Sequence, residues 1–208
     1  MRLKDWLKSG LQYGAIVVGA SFLYGTLMGP SSVGEMLTMT AMYMLLFGAA
    51  INMLYNITVY KVMLPLALSF GSTRKEAFVG IQCYRLVYAV LVIGVAVPLY
   101  LLAREDGVTE LMIFVPIGIG LMLMMNALGA VLGMIGNRFG KGFMAVLTVV
   151  GSLIACGIVV TAVILFSFLS ESIGSYYGLW LLPVVGLVIY GLVSIAEHKA
   201  VKKYSVKL

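Results

Sequence analysis

The 208-residue chain contains one histidine, two cysteines and only eight acidic side chains, and each scarcity removes a class of function. With His198 in the basic tail as the lone histidine, a serine-protease dyad, an H-E-x-x-H zinc site and a carboxylate-rich metal site are all unsupported, and no metal is expected. No acid stands deep within an apolar run, so the usual carboxylate of a proton- or sodium-coupled carrier is not expected either. Cys83 and Cys156 fall at opposite ends of different apolar runs and read as packing residues, not a disulfide or metal pair. His198, in a basic tail, reads as a solvated interface residue. The chain lacks a G-x-x-x-x-G-K-[ST] loop, so it is not expected to bind ATP or to be an enzyme in its own right. No long repeat, low-complexity segment or nucleic-acid module is present.

Charge is equally sparse. Charged residues make up 11% of the chain and hydrophobic ones 62%, with mean hydropathy +1.08, whereas a soluble domain carries about 25% charge. This composition predicts an all-α integral membrane protein. Spanning takes about 20 mostly apolar residues, and six runs supply them, at about 11–29, 37–60, 82–103, 111–134, 143–169 and 179–197. The expected architecture is a single transmembrane domain, 1–208, of six transmembrane helices. The opening MRLKDWLKSG sets Leu3, Trp6 and Leu7 on one face among charges, which predicts a short, retained amphipathic interfacial helix over 1–9. An ordinary basic flank of the first span is the plainer alternative.

The few cations are distributed unevenly. With both termini inside, Arg2, Lys4, Lys8, Lys61, Arg74, Lys75, Arg85, Arg138, Lys141, Lys199, Lys202, Lys203 and Lys207 are cytoplasmic and only Arg104 is outside, as the positive-inside rule requires. The net charge of +6 is thus an orientation signal. Arg85 is expected to snorkel to the headgroups. Within the spans the polar residues are Asn52, Asn56, Asn126, Ser152 and Thr161, candidates for a translocation path or for interhelical hydrogen bonds. Gly129-x-x-x-Gly133 could permit close helix contact, although among 24 glycines such a match is weak and plain packing is the better account.

The segment Leu64 to Gly80, LPLALSFGSTRKEAFVG, is the most informative connection. Pro65 can open a short helix, Gly71 can end it in a left-handed cap, and Thr73 with Glu76 forms a T-x-x-E capping box for a new helix. From Thr73 to about Ala103 that helix is about 45 Å long, more than the ~30 Å hydrocarbon core, so its Arg74–Lys75–Glu76 end projects into the cytosol. The stub before it carries Leu64, Leu66, Leu68 and Phe70, and an apolar cytosolic stub calls for a partner or a membrane surface.

This order of parts, with Phe70-Gly71-Ser72-Thr73-Arg74-Lys75-Glu76 between spans two and three, resembles the membrane subunits of bacterial ABC-2 type transporters in their compact form with a separate ATPase. Members often carry an aromatic or Met, then Gly, x, Ser or Thr, Arg, and Lys or Arg in this stretch. The resemblance implies that the segment is a cytoplasmic coupling helix. Leu66, Leu68 and Phe70 would fill a groove of the nucleotide-binding subunit, with Gly71, Ser72 and Thr73 forming the turn. Arg74, Lys75 and Glu76 would meet charges at the rim, and Arg138 and Lys141 would form a smaller second contact. It further implies an exporter in the bacterial cytoplasmic membrane, built from this permease, a second identical or homologous permease and ATPase subunits that bind ATP and Mg. Lipids are further partners and nucleic acid is not. The aliphatic, Met-rich spans suit a hydrophobic or amphipathic cargo, such as a peptide, lipid-like molecule or antibiotic. The stretch Ser170 to Gly178 is shorter than the re-entrant helices many members carry there. A small secondary transporter and a non-transporting membrane anchor for a soluble partner are the alternatives.

Overall fold

The structure, a computed structural model, describes residues 3–103, 107–136 and 179–203, with 146, 150 and 157 as isolated helical positions. The described residues are almost wholly helical and contain no strand. In chain order they form α1 (Leu3–Leu27), α2 (Val33–Thr58), a π turn (Val59–Met63), α3 (Leu64–Ser69), α4 (Arg74–Ala103), α5 (Gly107–Gly136) and α6 (Leu181–Lys203). Four helical stretches among them are long and apolar enough to cross a membrane: Val33–Ser69, Arg74–Ala103, Leu111–Gly136 and Leu181–Lys203. This is compatible with a multi-pass membrane protein.

Two of the expected spans are not among these four. The run at 11–29, all but its last two residues in α1, is not among the four, because Gln12 and glycines 14, 19 and 25 dilute its apolar content. The run at 143–169 falls outside the described residues, apart from isolated positions. The separate interfacial helix over 1–9 is not found either, since α1 is continuous from Leu3. Trp6 is fully buried against Gly80 of α4, and Leu3 remains half-exposed. A large ring seated in the gap left by a glycine draws the first turns of α1 onto another helix.

Helix α2 is central, packing on α1, α4 and α5, while α6 lies chiefly along α5. The start of α2 is fixed by Ser32, whose hydroxyl accepts the Glu35 backbone N–H at 3.1 Å. Near its other end the helix does not stop. It widens into the π turn and continues directly as α3, so the expected stub is an extension of α2 and not a fresh helix. Pro65 explains the widening, because its ring would strike the Lys61 carbonyl four residues earlier in a regular helix and it offers no N–H to that carbonyl. The N–H of Leu64 reaches back five residues to the Val59 carbonyl. Pro98 and Pro116 are carried inside α4 and α5.

Gly129 and Gly133 set the spacing of α5 and α2. A Cβ at Gly129 would lie 2.6 Å from the Met53 carbonyl oxygen, and one at Gly133 would lie 2.8 Å from the Asn56 carbonyl oxygen. The motif is therefore a true helix contact in this chain. A methyl at Gly94, by contrast, meets nothing within 4 Å. Gly129→Ala is expected to destabilise the chain by about 1–3 kcal/mol through forced separation of two backbones, while Gly94→Ala stabilises it by up to about 1 kcal/mol through helix propensity. Thermal unfolding of the purified variants in detergent reads the difference, and equal midpoints would refute it.

Candidate functional site

Two features stand out, an ion pair sealed inside the helix packing and a capped turn at one end of it. The ion pair is between Arg85 of α4 and Glu197 of α6, which are 2% and 0% exposed. Arg85 Nη1 donates to Glu197 Oε2 at 2.6 Å and Nη2 to Oε1 at 2.8 Å, a bidentate fork. The same carboxylate accepts the Tyr60 hydroxyl at 2.5 Å and Gln82 Nε2 at 2.8 Å. Tyr190 of α6 donates to Gln82 Oε1 in turn. Arg85 Nε donates to Asn56 Oδ1 at 2.6 Å, and Asn56 Nδ2 donates to Asn126 Oδ1 and to the Asn52 carbonyl, both at 2.8 Å. One connected set of polar groups thus joins α2, the π turn, α4, α5 and α6.

This overturns two expectations. Arg85 does not snorkel: it sits about three turns into α4, where the Glu197 carboxylate and the Asn56 amide oxygen satisfy it inside the packing. The apolar runs do hold a buried acid, because the last turns of α6 bring Glu197 inward while Lys199, Lys202 and Lys203 stay exposed. His198, on the next position, is half-buried with its ring edge-on to Phe78 at 4.9 Å between centroids, and is not simply solvated. Asn52, Asn56 and Asn126 do come together as buried groups, Asn56 bonding to Asn52 within α2 and across to Asn126 of α5. Ser152 and Thr161 lie outside the described residues. Tyr60, Gln82, Glu197 and Tyr190 escaped the sequence reading. The available signal was Arg85 as the one charge within the run 82–103, since charges inside such segments tend to pair; Glu197, at the edge of the basic tail, gave none.

A buried pair of this kind contributes less to net stability than its short distances suggest, because desolvation offsets the attraction; stranding one partner is what costs most. Arg85→Met or Glu197→Leu alone is expected to cost about 3–5 kcal/mol, with the double variant recovering most of the loss. A double-mutant cycle from detergent unfolding measures this, and simple additivity of the two losses would disprove the coupling.

The capped turn connects α3 to α4. Gly71 has φ +81°, the left-handed conformation that a glycine tolerates best. Its N–H donates to the Leu68 carbonyl at 3.1 Å, and the Ser72 N–H donates to the Ala67 carbonyl at 3.0 Å, closing α3 with a Schellman motif. Two residues on, the Thr73 backbone N–H donates to Glu76 Oε2 at 2.8 Å and the Glu76 N–H donates to Thr73 Oγ1 at 3.2 Å. That reciprocal capping box opens α4. In this polar first turn, the hydrogen bonds from Thr73 hold the Glu76 carboxyl below the usual carboxylate range.

Between the two caps, Phe70 is 71% and Leu66 is 44% exposed. Leu64 and Ala67 are buried and Leu68 is packed partly against the core, so only part of the expected apolar set faces outward. Arg74, Lys75 and Glu76 are exposed beside it. A groove of about 620 Å³ runs between Leu3, the turn Phe70–Thr73, Lys75, Glu76 and Val79. Arg138 and Lys141 lie outside the described residues. Among the described residues no cluster of His, Cys, Asp and Glu could hold a metal ion.

No protein-family model matches the chain, and no curated protein and no solved structure is detectably similar to it.

Proposed function

We propose that this chain is the permease subunit of an ATP-driven exporter of the ABC-2 type. In this reading it has six spans, the run at 11–29, most of it in α1, and the run at 143–169 included, with both termini on the cytoplasmic side of a bacterial membrane. Two permeases, identical or homologous, work with two ATPase subunits that supply the ATP and Mg sites this sequence lacks. The cargo is hydrophobic or amphipathic.

One observation carries the reading: an exposed aromatic, Phe70, held at the tip of a turn whose flanking helices are both capped. An exposed large apolar side chain on a mobile loop collapses onto its own chain. Here the Schellman motif and the capping box fix it outward, next to Arg74, Lys75 and Glu76, as an anchor inside a polar rim. That is the arrangement of a docking element. Helix α4 then gives the turn a continuous 30-residue shaft.

A second reading gains from the buried Glu197, which supplies the acid a small secondary carrier needs. A non-transporting anchor would use the same docking turn without a path for cargo. Tagged full-length chain is expected to co-purify a P-loop ATPase. In the reconstituted complex, Phe70→Asp and Arg74→Glu should each lower the permease-stimulated ATPase rate about tenfold, the loss of one anchor contact, while leaving the basal rate unchanged. Unchanged stimulation in both variants would remove the turn from the mechanism. Cargo movement in liposomes holding the permease alone would favour the carrier.

A further inference from the structure

Tyr60 occupies a position no sequence feature marks. It lies in the π turn, is 2% exposed, and donates its hydroxyl to Glu197 of the C-terminal helix. A π turn adds one residue to a helix, so everything beyond it is rotated by about 100° relative to a regular continuation. The side chains that α3 shows outward, Leu66 and Phe70, and those it buries, Leu64 and Ala67, therefore depend on whether the π turn is kept. Its hydrogen bonds are poorer than those of an α-helix, and such turns persist where tertiary contacts hold them. Pro65 supplies a local reason for the widening, and the Tyr60–Glu197 bond supplies a tertiary one.

We propose that Glu197, fixed by Arg85, is a positioning residue for the docking turn: through Tyr60 it holds the π turn and so sets which face of Leu64–Phe70 a partner meets. The proposal rests on the docking role of that turn. The C-terminal helix, which touches α4 lightly and α5 extensively, thereby gains direct control over an element far from it in sequence. Gln82 and Arg85 donate to the same carboxylate from α4, so Glu197 cannot shift without breaking those bonds, and the acceptor that Tyr60 uses is held in place.

The test uses full-length chain in lipid nanodiscs, with Cys83→Ser and Cys156→Ser, and a single reporter cysteine at Leu66 or at Ala67. Alkylation by a water-soluble maleimide is expected to be fast at 66 and slow at 67. In Tyr60→Phe, which keeps the ion pair, and in Glu197→Gln, the rate at 66 should fall and the rate at 67 should rise, with their ratio changing by about tenfold or more. If Glu197→Gln does not fold, Tyr60→Phe carries the test. No change, or a rise at both positions as from general loosening, overturns the proposal. The alkylation pattern needs no ATPase, so failure to find an ATPase partner would refute the docking role while leaving this result legible.

Discussion

The Arg85–Glu197 pair is the constraint around which the other helices are arranged. In apolar surroundings, a guanidinium and a carboxylate are tolerated only if each finds its counterpart with correct geometry and if the remaining donors and acceptors are also used. Meeting that requirement takes groups from α2, the π turn, α4, α5 and α6 at once. The glycines of α5 follow from it: Asn126 reaches Asn56 at 2.8 Å because Gly129 and Gly133 let the α5 backbone lie against α2. Small residues at this crossing and polar residues inside it are thus two halves of one solution.

The capped turn is organised by a different scale of interaction. Its order comes from backbone hydrogen bonds within a few residues, and a cap of this kind contributes about 0.5–2 kcal/mol. Such bonds fix local shape but not where the turn points. Direction is inherited from the two helices entering it, α3 as the continuation of α2 and α4 as the long shaft. Both pass through the polar cluster, by Tyr60 and Asn56 on one side and by Gln82 and Arg85 on the other.

This difference in range explains what could be read from sequence. Gly71, Thr73 and Glu76 are legible because their partners lie within five residues, and the start of α4 follows from them. Pro65 signals a disturbance, but its outcome, a π turn inside one long helix, depends on packing the local sequence does not encode. Arg85 and Glu197 are 112 residues apart, and Glu197 stands beside His198 and Lys199 where a solvated basic tail is the natural reading. Trp6 misleads in the same way: at i, i+3, i+4 with Leu3 and Leu7 it describes an interfacial face until Gly80 offers it a socket.

The geometry also constrains how force could pass along the chain. A push on Phe70 enters two helices that diverge from the turn and are tied together again at the ion pair. Separating α6 from α4 would strand two charges away from water, which costs far more than shifting a helix past apolar neighbours. The segment from the turn to the cluster therefore yields as one body. Relative motion falls instead where contacts are apolar and unpaired, along the outer faces of α1 and α6, where Leu11, Ile16, Leu23 and Leu27 and Val184, Leu187, Leu192 and Ile195 are exposed on this chain. If the turn is the docking element of the proposed permease, a displacement applied there is delivered to such faces and is not lost in the turn itself.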